Sequence, residues 1–309
     1  MRKSVLAIAL VCGVSAAFAQ DLTSKKGEPM LPEANDWAIS VNADPIFTYI
    51  GNAFHGTSAS GAPGVNWTNS NYTIVGKKFI DEKTAYRALV RIGFTSEATK
   101  KNIGDASVTT PAVYPAAPAV VEDKMSMKNT NIGIGVGKEW RRGKTRLQGF
   151  YGADVMIWLT SNSTKYKYGN ALSTGANPVS VSSSTTSDFG SNLVTDSYGN
   201  SARVLTTKSG MTFGFGVRGF IGAEYFIFPK IAVGAEYGWG LGFQSSGKGK
   251  QSVESVGAGT SGAVVGQVDT NVAGSSKFGV DTDINQNTIF GFKGSNTGSS
   301  ASLKVTLHF

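Results

Sequence analysis

Strict two-residue alternation from Ile231 to Phe243 constrains the fold of this chain more than any other feature. One face of this segment is apolar, and the other carries only small or acidic residues. The second face consists of Ala232, Gly234, Glu236, Gly238, Gly240 and Gly242. A period of two indicates a β-strand. Because glycine weakens a strand, the four glycines indicate that this face must leave room for large neighbours.

Similar alternation recurs along the chain and predicts eight strands, whereas no segment has a convincing helical period. The predicted strands are Trp37–Tyr49, Asn71–Ile80, Thr84–Phe94, Asn129–Arg141, Arg146–Thr160, Gly210–Ile227, Ile231–Phe243 and Ala301–Phe309. Tight turns at 81–83, 142–145 and 228–230 join three pairs of strands. The other connections are long, and those at 161–209 and 244–300 are rich in Ser, Thr, Gly and Asn, as solvated and mobile loops are.

Short turns at one end and long loops at the other are typical of a transmembrane barrel. We therefore predict an all-β fold, an eight-stranded antiparallel up-and-down transmembrane β-barrel with short periplasmic turns and long extracellular loops. A soluble lipocalin-like barrel also alternates, with its apolar face inside, and a soluble secreted β-protein is the competing fold. The glycine-rich faces favour the membrane barrel, because room is scarce inside eight strands.

Charged residues occupy the faces opposite the apolar ones, and lipid would exclude them. The predicted lumen charges are Arg87, Arg91, Glu139, Asp154, Arg218, Glu224, Glu236 and Lys304. Away from bulk water such charges need partners, and this balanced set can pair and block the bore. Lys77 and Arg146 are further candidates, and the pattern leaves the register of the second strand, which carries Lys77, undefined. The alternative is that some of these residues lie at strand ends in water.

The N-terminus has the three parts of a secretory signal peptide: a basic start, a short apolar run and an Ala-x-Ala site. We predict a signal peptide at 1–19 with cleavage between Ala19 and Gln20, a short polar lead-in at 20–36, and the barrel at 37–309. The apolar run is too short to span a membrane. Cys12, the only cysteine, lies inside the predicted signal, so the mature chain would form no disulfide.

The chain ends in alternating apolar residues and an aromatic: Leu303, Val305, Leu307 and Phe309. This end resembles the terminal strand of Gram-negative outer-membrane β-barrels, which the barrel-assembly machinery recognises. The segments PIFTYIGN, after Trp37, and GKKFIDEKTAYRALVRIGF, from Gly76, resemble the opening hairpins of the outer membrane protein beta-barrel domain family, the OmpA/OmpX-like class. The resemblance implies a location in the cell outer membrane, with outer-membrane lipid, the assembly machinery and an envelope protein as partners. It carries over no catalytic or ligand residue.

Candidate catalytic and metal-binding residues are few. The histidines are His55 and His308, and neither has the partners at a recognisable spacing that a hydrolytic triad or a metal site requires. The pair Asp281 and Asp283 lacks the other ligands of a calcium loop. We predict no enzyme activity and no cofactor. A rim enzyme that uses His55 is the least favoured alternative.

The formal net charge of +8 is spread along the chain without a basic cluster, which argues against a nucleic acid partner and favours anionic lipid head groups. The predicted function is therefore a structural or interaction barrel with a lumen filled by paired charges. Its extracellular loops would be presented to the outside or to a partner. The alternative is a narrow passive, porin-like channel for small solutes.

Overall fold

The computed structural model describes residues 22–24, 26–43, 74–110, 112–281 and 301–309. Eight strands of this part form a closed antiparallel ring. They are β1 (Trp37–Asn42), β2 (Ile74–Asp81), β3 (Thr84–Gly104), β4 (Val120–Arg142), β5 (Leu147–Lys167), β8 (Thr212–Phe228), β9 (Ile231–Ser246) and β13 (Ala301–His308). Outside the ring lie β6 (Leu193–Thr195), β7 (Ser201–Lys208), β10 (Gly249–Gly259), β11 (Gly262–Val272), β12 (Ser275–Asp281) and one helical turn, α1 (Val181–Ser184).

The ring closes because the first strand, β1, pairs with both β2 and the last strand, β13. Around the rest of the ring, each strand pairs with the next ring strand in chain order. The prediction of an all-β antiparallel fold is confirmed, and each of the eight predicted strands overlaps one strand of the ring. The tight turns between β2 and β3, β4 and β5, and β8 and β9 lie together at what we call the turn end.

The lead-in before β1 packs against the turn end of the ring. Met30 is buried against Phe226 and Ala232, and its carbonyl accepts a hydrogen bond from the N–H of Lys230. The ammonium of Lys230 forms an ion pair with Asp36. The predicted polar lead-in thus contains an apolar contact that covers this end of the ring interior.

Beyond the ring, the sheet continues in a second region, the sheet extension. It consists of β6, β7, β10 and β11 together with parts of three ring strands. These parts are the end of β3 after Phe94, the start of β4 before Thr130 and the end of β5 after Thr160. The hairpin of β3 and β4 keeps one register from Thr84 opposite Trp140 to Gly104 opposite Val120. Above the ring, β5 exchanges its partner β8 for β7, which pairs with β10. The prediction that residues 161–209 and 244–300 form solvated loops was wrong for the described residues that belong to β5, β6, β7, β9, β10, β11 and β12.

The sheet extension has its own small core. The buried members are Tyr166, Ala202, Val204 and Val253, with Met125, Tyr168, Phe189, Val194 and Val268 packed around them. Nearby, the buried carboxylate of Asp123 accepts hydrogen bonds from the N–H groups of Gly169 and Thr186. These contacts give the polar segments a fixed structure that their composition did not indicate.

Two short strands share one edge of β9. β13 pairs with the first half of β9, from Ile231 to Tyr237, and β12 pairs with the second half, from Gly240 to Ser246. The predicted signal peptide with Ala19 and Gln20, the segment 44–73 with His55, and the segment 282–300 lie outside the described residues. Among the described residues, no helix is long and apolar enough to cross a membrane.

Candidate functional site: the charged interior of the ring

The strands of the ring are apolar on the outside and polar on the inside. Along β8, the exposed residues include Phe213, Phe215, Val217, Ile221 and Tyr225, whereas the intervening Arg218, Phe220, Glu224 and Phe226 are buried. The same division holds on the other strands. Exposed outer residues there include Ile39, Tyr86, Val90, Ile92, Phe94, Ile134, Val136, Val155, Ile157, Leu159, Trp239 and Leu241. Water-soluble sheets have the opposite arrangement.

Glu236 on β9 is the acidic centre of the upper part of the interior. Its carboxylate accepts ion pairs from Arg218 at 2.7 Å, from Lys304 at 2.7 Å and from Arg87 at 3.1 Å. Asp154 shares two of these bases, at 3.2 Å from Arg218 and 3.6 Å from Arg87. Both carboxylates are almost completely buried. Their charges are therefore neutralised within the ring and not by bulk water.

Glu139 and Glu224 form the lower part of the interior with two further bases. Lys77 lies 3.0 Å from Glu139 and 2.9 Å from Glu224, and Arg141 lies 2.9 and 2.8 Å from the same two residues. Arg87 lies 3.3 Å from Glu139 and therefore joins the two parts into one connected cluster. A charge-assisted hydrogen bond supports each contact of Glu224, the stronger class of hydrogen bond.

Aromatic rings fill the space between these charges. The guanidinium carbon of Arg87 lies 3.8 Å from the centre of the Phe220 ring, and the ammonium of Lys77 lies 5.0 Å from the centre of Phe150. Phe150 and Phe220 also contact each other, with 6.2 Å between their centres. Cation–π contacts stabilise buried bases, and the rings exclude water from the ion pairs.

Seven of the eight predicted lumen residues lie in this cluster: Arg87, Glu139, Asp154, Arg218, Glu224, Glu236 and Lys304. The eighth, Arg91, is half-buried four residues farther along β3, on the same face as Arg87.

Sequence reasoning left Lys77 undecided and missed Arg141. Lys77 follows Gly76 and precedes Lys78, so the alternation of charge alone does not say which lysine faces inward. Arg141 shares the parity of Glu139, which is the signal that would have found it. Arg146, the other open candidate, is half-buried just before β5, and its carbonyl accepts a hydrogen bond from the N–H of Phe226.

The predicted assembly signal lies on the outer face of β13. Leu303, Leu307 and Phe309 are exposed and Val305 is half-buried, while Lys304 and His308 between them are buried. Trp37 and Phe309 exchange both backbone hydrogen bonds, at 2.7 and 2.9 Å. The first and last strands of the ring are therefore paired up to Phe309. The four apolar side chains form an outward row.

His308 lies inside the turn end, between Phe79 and Phe226, with ring centres 5.4 and 5.2 Å away. Charged groups close enough to interact with its ring include Glu224, Lys77, Arg141 and Lys230. Among the described residues, no group of three or more His, Cys, Asp or Glu side chains could hold a metal ion.

Neither the models of known protein families nor the curated proteins include a match to this chain.

Proposed function

We propose that this protein is an integral outer-membrane β-barrel with a structural or interaction role. The observation that carries the proposal is the inverted distribution of polarity around the closed ring, with exposed apolar side chains outside and paired charges inside. Exposing such a band to water has a large hydrophobic cost, which a bilayer removes. A closed ring also satisfies the backbone groups that a bilayer cannot.

The interior favours a closed barrel over a channel. Arg87, Arg218, Phe220, Glu236 and Trp158 fill the middle of the ring, and each is at most 2% exposed. Opening a path for ions would require several ion pairs to separate in a poorly hydrated space, which is costly. The porin-like alternative is therefore the less favoured function.

The resemblance to the OmpA/OmpX-like class supports an orientation with the turn end in the periplasm and the sheet extension outside the cell. On this proposal the sheet extension is the part presented to the outside or to an envelope protein partner. The proposal includes neither a catalytic step nor a cofactor.

Single-channel conductance in a planar bilayer tests the proposal. The chain from Gln20 to Phe309 is refolded and folding is verified by its heat-dependent shift on a gel. Folded wild-type protein should insert and give no current steps. A variant that combines R87A, R218A and F220A, once folded, should conduct, which shows that the assay detects an open bore. Regular current steps from the wild type would establish the channel instead. Failure to insert would disprove the membrane barrel.

A further inference from the structure

Seven lysines that are scattered in the sequence lie on one face of the sheet, which we call the lysine face. They are Lys100, Lys124, Lys128, Lys165, Lys167, Lys208 and Lys250. The sequence showed no basic cluster because these residues come from five strands. Six of the seven are exposed, and Lys124 is half-buried among the others.

Strand register fixes the arrangement of the lysine face. In the row nearest the ring, Lys128 is opposite Ser163, Ser163 is opposite Lys208, and Lys208 is opposite Lys250. In the row farthest from the ring, Lys124 lies between Lys100 and Lys167 and directly opposite both. Neighbouring strands are only about 4.8 Å apart.

Like charges directly opposite each other destabilise a sheet, and acidic partners here are few. Glu122 on β4 lies 3.0 Å from Lys100, and Asp269 on β11, opposite Ser252, is on the same face as Lys250. Among the described residues, Lys100 is the one lysine of this face that forms an ion pair, so an anion from outside would stabilise the others.

The lysine face continues the apolar outer face of the ring without a turn between them. Residues at every second position share one face of a strand, so Lys128 lies on the same side as Thr130, Ile132 and Ile134. Thr130 is opposite Phe94, which is exposed. Lys128 is therefore about 7 Å along the strand from the last aromatic residue of the apolar band.

We propose that the lysine face binds the phosphate groups of anionic lipids in the leaflet that surrounds the far end of the ring. This inference rests on the proposed membrane barrel and adds a lipid class and a site to it. Two features select lipid as the occupant: continuity with the lipid-facing surface, and the use of lysine without arginine. Lysine is a flexible point charge that suits phosphates in variable positions, whereas arginine suits fixed two-point recognition. Its long stem also reaches along an apolar surface to the head groups.

Spin-labelled lipids test the inference, with the refolded protein in phosphatidylcholine vesicles. Labelled phosphatidic acid is compared with labelled phosphatidylcholine for its association with the protein. We expect a preference of about fivefold for phosphatidic acid at low salt, which decreases as salt is added. A variant with K128Q, K165Q and K167Q should lose most of the preference.

The matched control replaces three exposed lysines at the turn end and in the lead-in, as K26Q, K83Q and K144Q, with the same change in net charge. It should keep most of the preference. Equal losses in the two variants, or no preference in the wild type, would overturn the inference while the barrel proposal stands. A wild type that does not insert into neutral vesicles would overturn both.

Discussion

Gly222 on β8 and Phe150 on β5 lie directly opposite each other, and the Phe150 ring occupies the space that a side chain at residue 222 would need. A Cβ at Gly222 would lie 2.7 Å from Cε2 of Phe150, closer than atoms can pack. Trp158 opposite Gly214 follows the same rule, since a Cβ at Gly214 would overlap the indole. The glycines of the inner face therefore make room for large neighbours across the strands, as the alternation pattern indicated.

Replacing Gly222 with valine should destabilise the folded barrel by about 1–3 kcal/mol, the usual cost of overpacking a filled interior. The control is G266V on β11, where a Cβ would have no atom within 4 Å. Urea unfolding followed by tryptophan fluorescence gives both free energies. Equal stability of G222V and wild type would contradict the dense packing of Phe150 against this site.

The variant E236Q should lose about 3–5 kcal/mol, because it leaves Arg87, Arg218 and Lys304 buried with too little negative charge. The exposed pair of Glu122 with Lys100 is the comparison, and E122Q should cost about 1 kcal/mol or less. Adding K304M to E236Q should recover part of the loss, since one buried base is removed. A loss in E236Q no larger than in E122Q would show that the interior ion pairs are hydrated.

Met30 covers the turn end, and the variant M30A should cost about 2–5 kcal/mol because it removes a buried side chain from contact with Phe226. The matched variant is L22A, because Leu22 is 37% exposed. The same urea titration measures both. If M30A has the stability of L22A, the lead-in is not part of the folded unit.

We predict that the sheet extension loses local order at low pH, because Asp196, directly after β6, is protonated there. A hydrogen bond from the Ser255 hydroxyl, together with the N–H groups of Asn200 and Tyr198, lowers the pKa of Asp196 to about 2. The ordinary pKa is 3.8, so the folded state is stabilised above about pH 4. This stabilisation is lost as the pH falls from about 4 toward 2.

A spin label at A258C on β10 reports this transition. Its mobility should increase between pH 4 and 2, whereas a label at V217C in the ring should not change. The variant D196N should be mobile already at pH 5 and show no further transition there. A mobility at Ala258 that is independent of pH in the wild type would contradict the role of Asp196.

The ring and most of its interior could be predicted because a period of two, once the apolar face is known, assigns every residue of a strand to one side. This is how Arg87, Glu139 and Glu236 were placed. The sheet extension could not be predicted in this way. Its segments are rich in Ser, Thr, Gly and Asn and poor in large apolar residues, so their composition is that of solvated loops, and β10 pairs with β7 across long separations in sequence. The lysine face was not predicted, because its members lie on β7, on β10 and on the parts of β3, β4 and β5 beyond the predicted strand bounds.

The register of the sheet extension also limits how this part of the chain can change during evolution. An irregular loop accepts insertions almost anywhere, but an added residue within β7 or β10 would move every following side chain to the opposite face. Length changes are tolerated only where strands turn, such as residues 260–261 between β10 and β11. Homologues should therefore vary in length at a few fixed points and vary in side chains between them, and an epitope tag inserted at 260–261 should leave the fold intact.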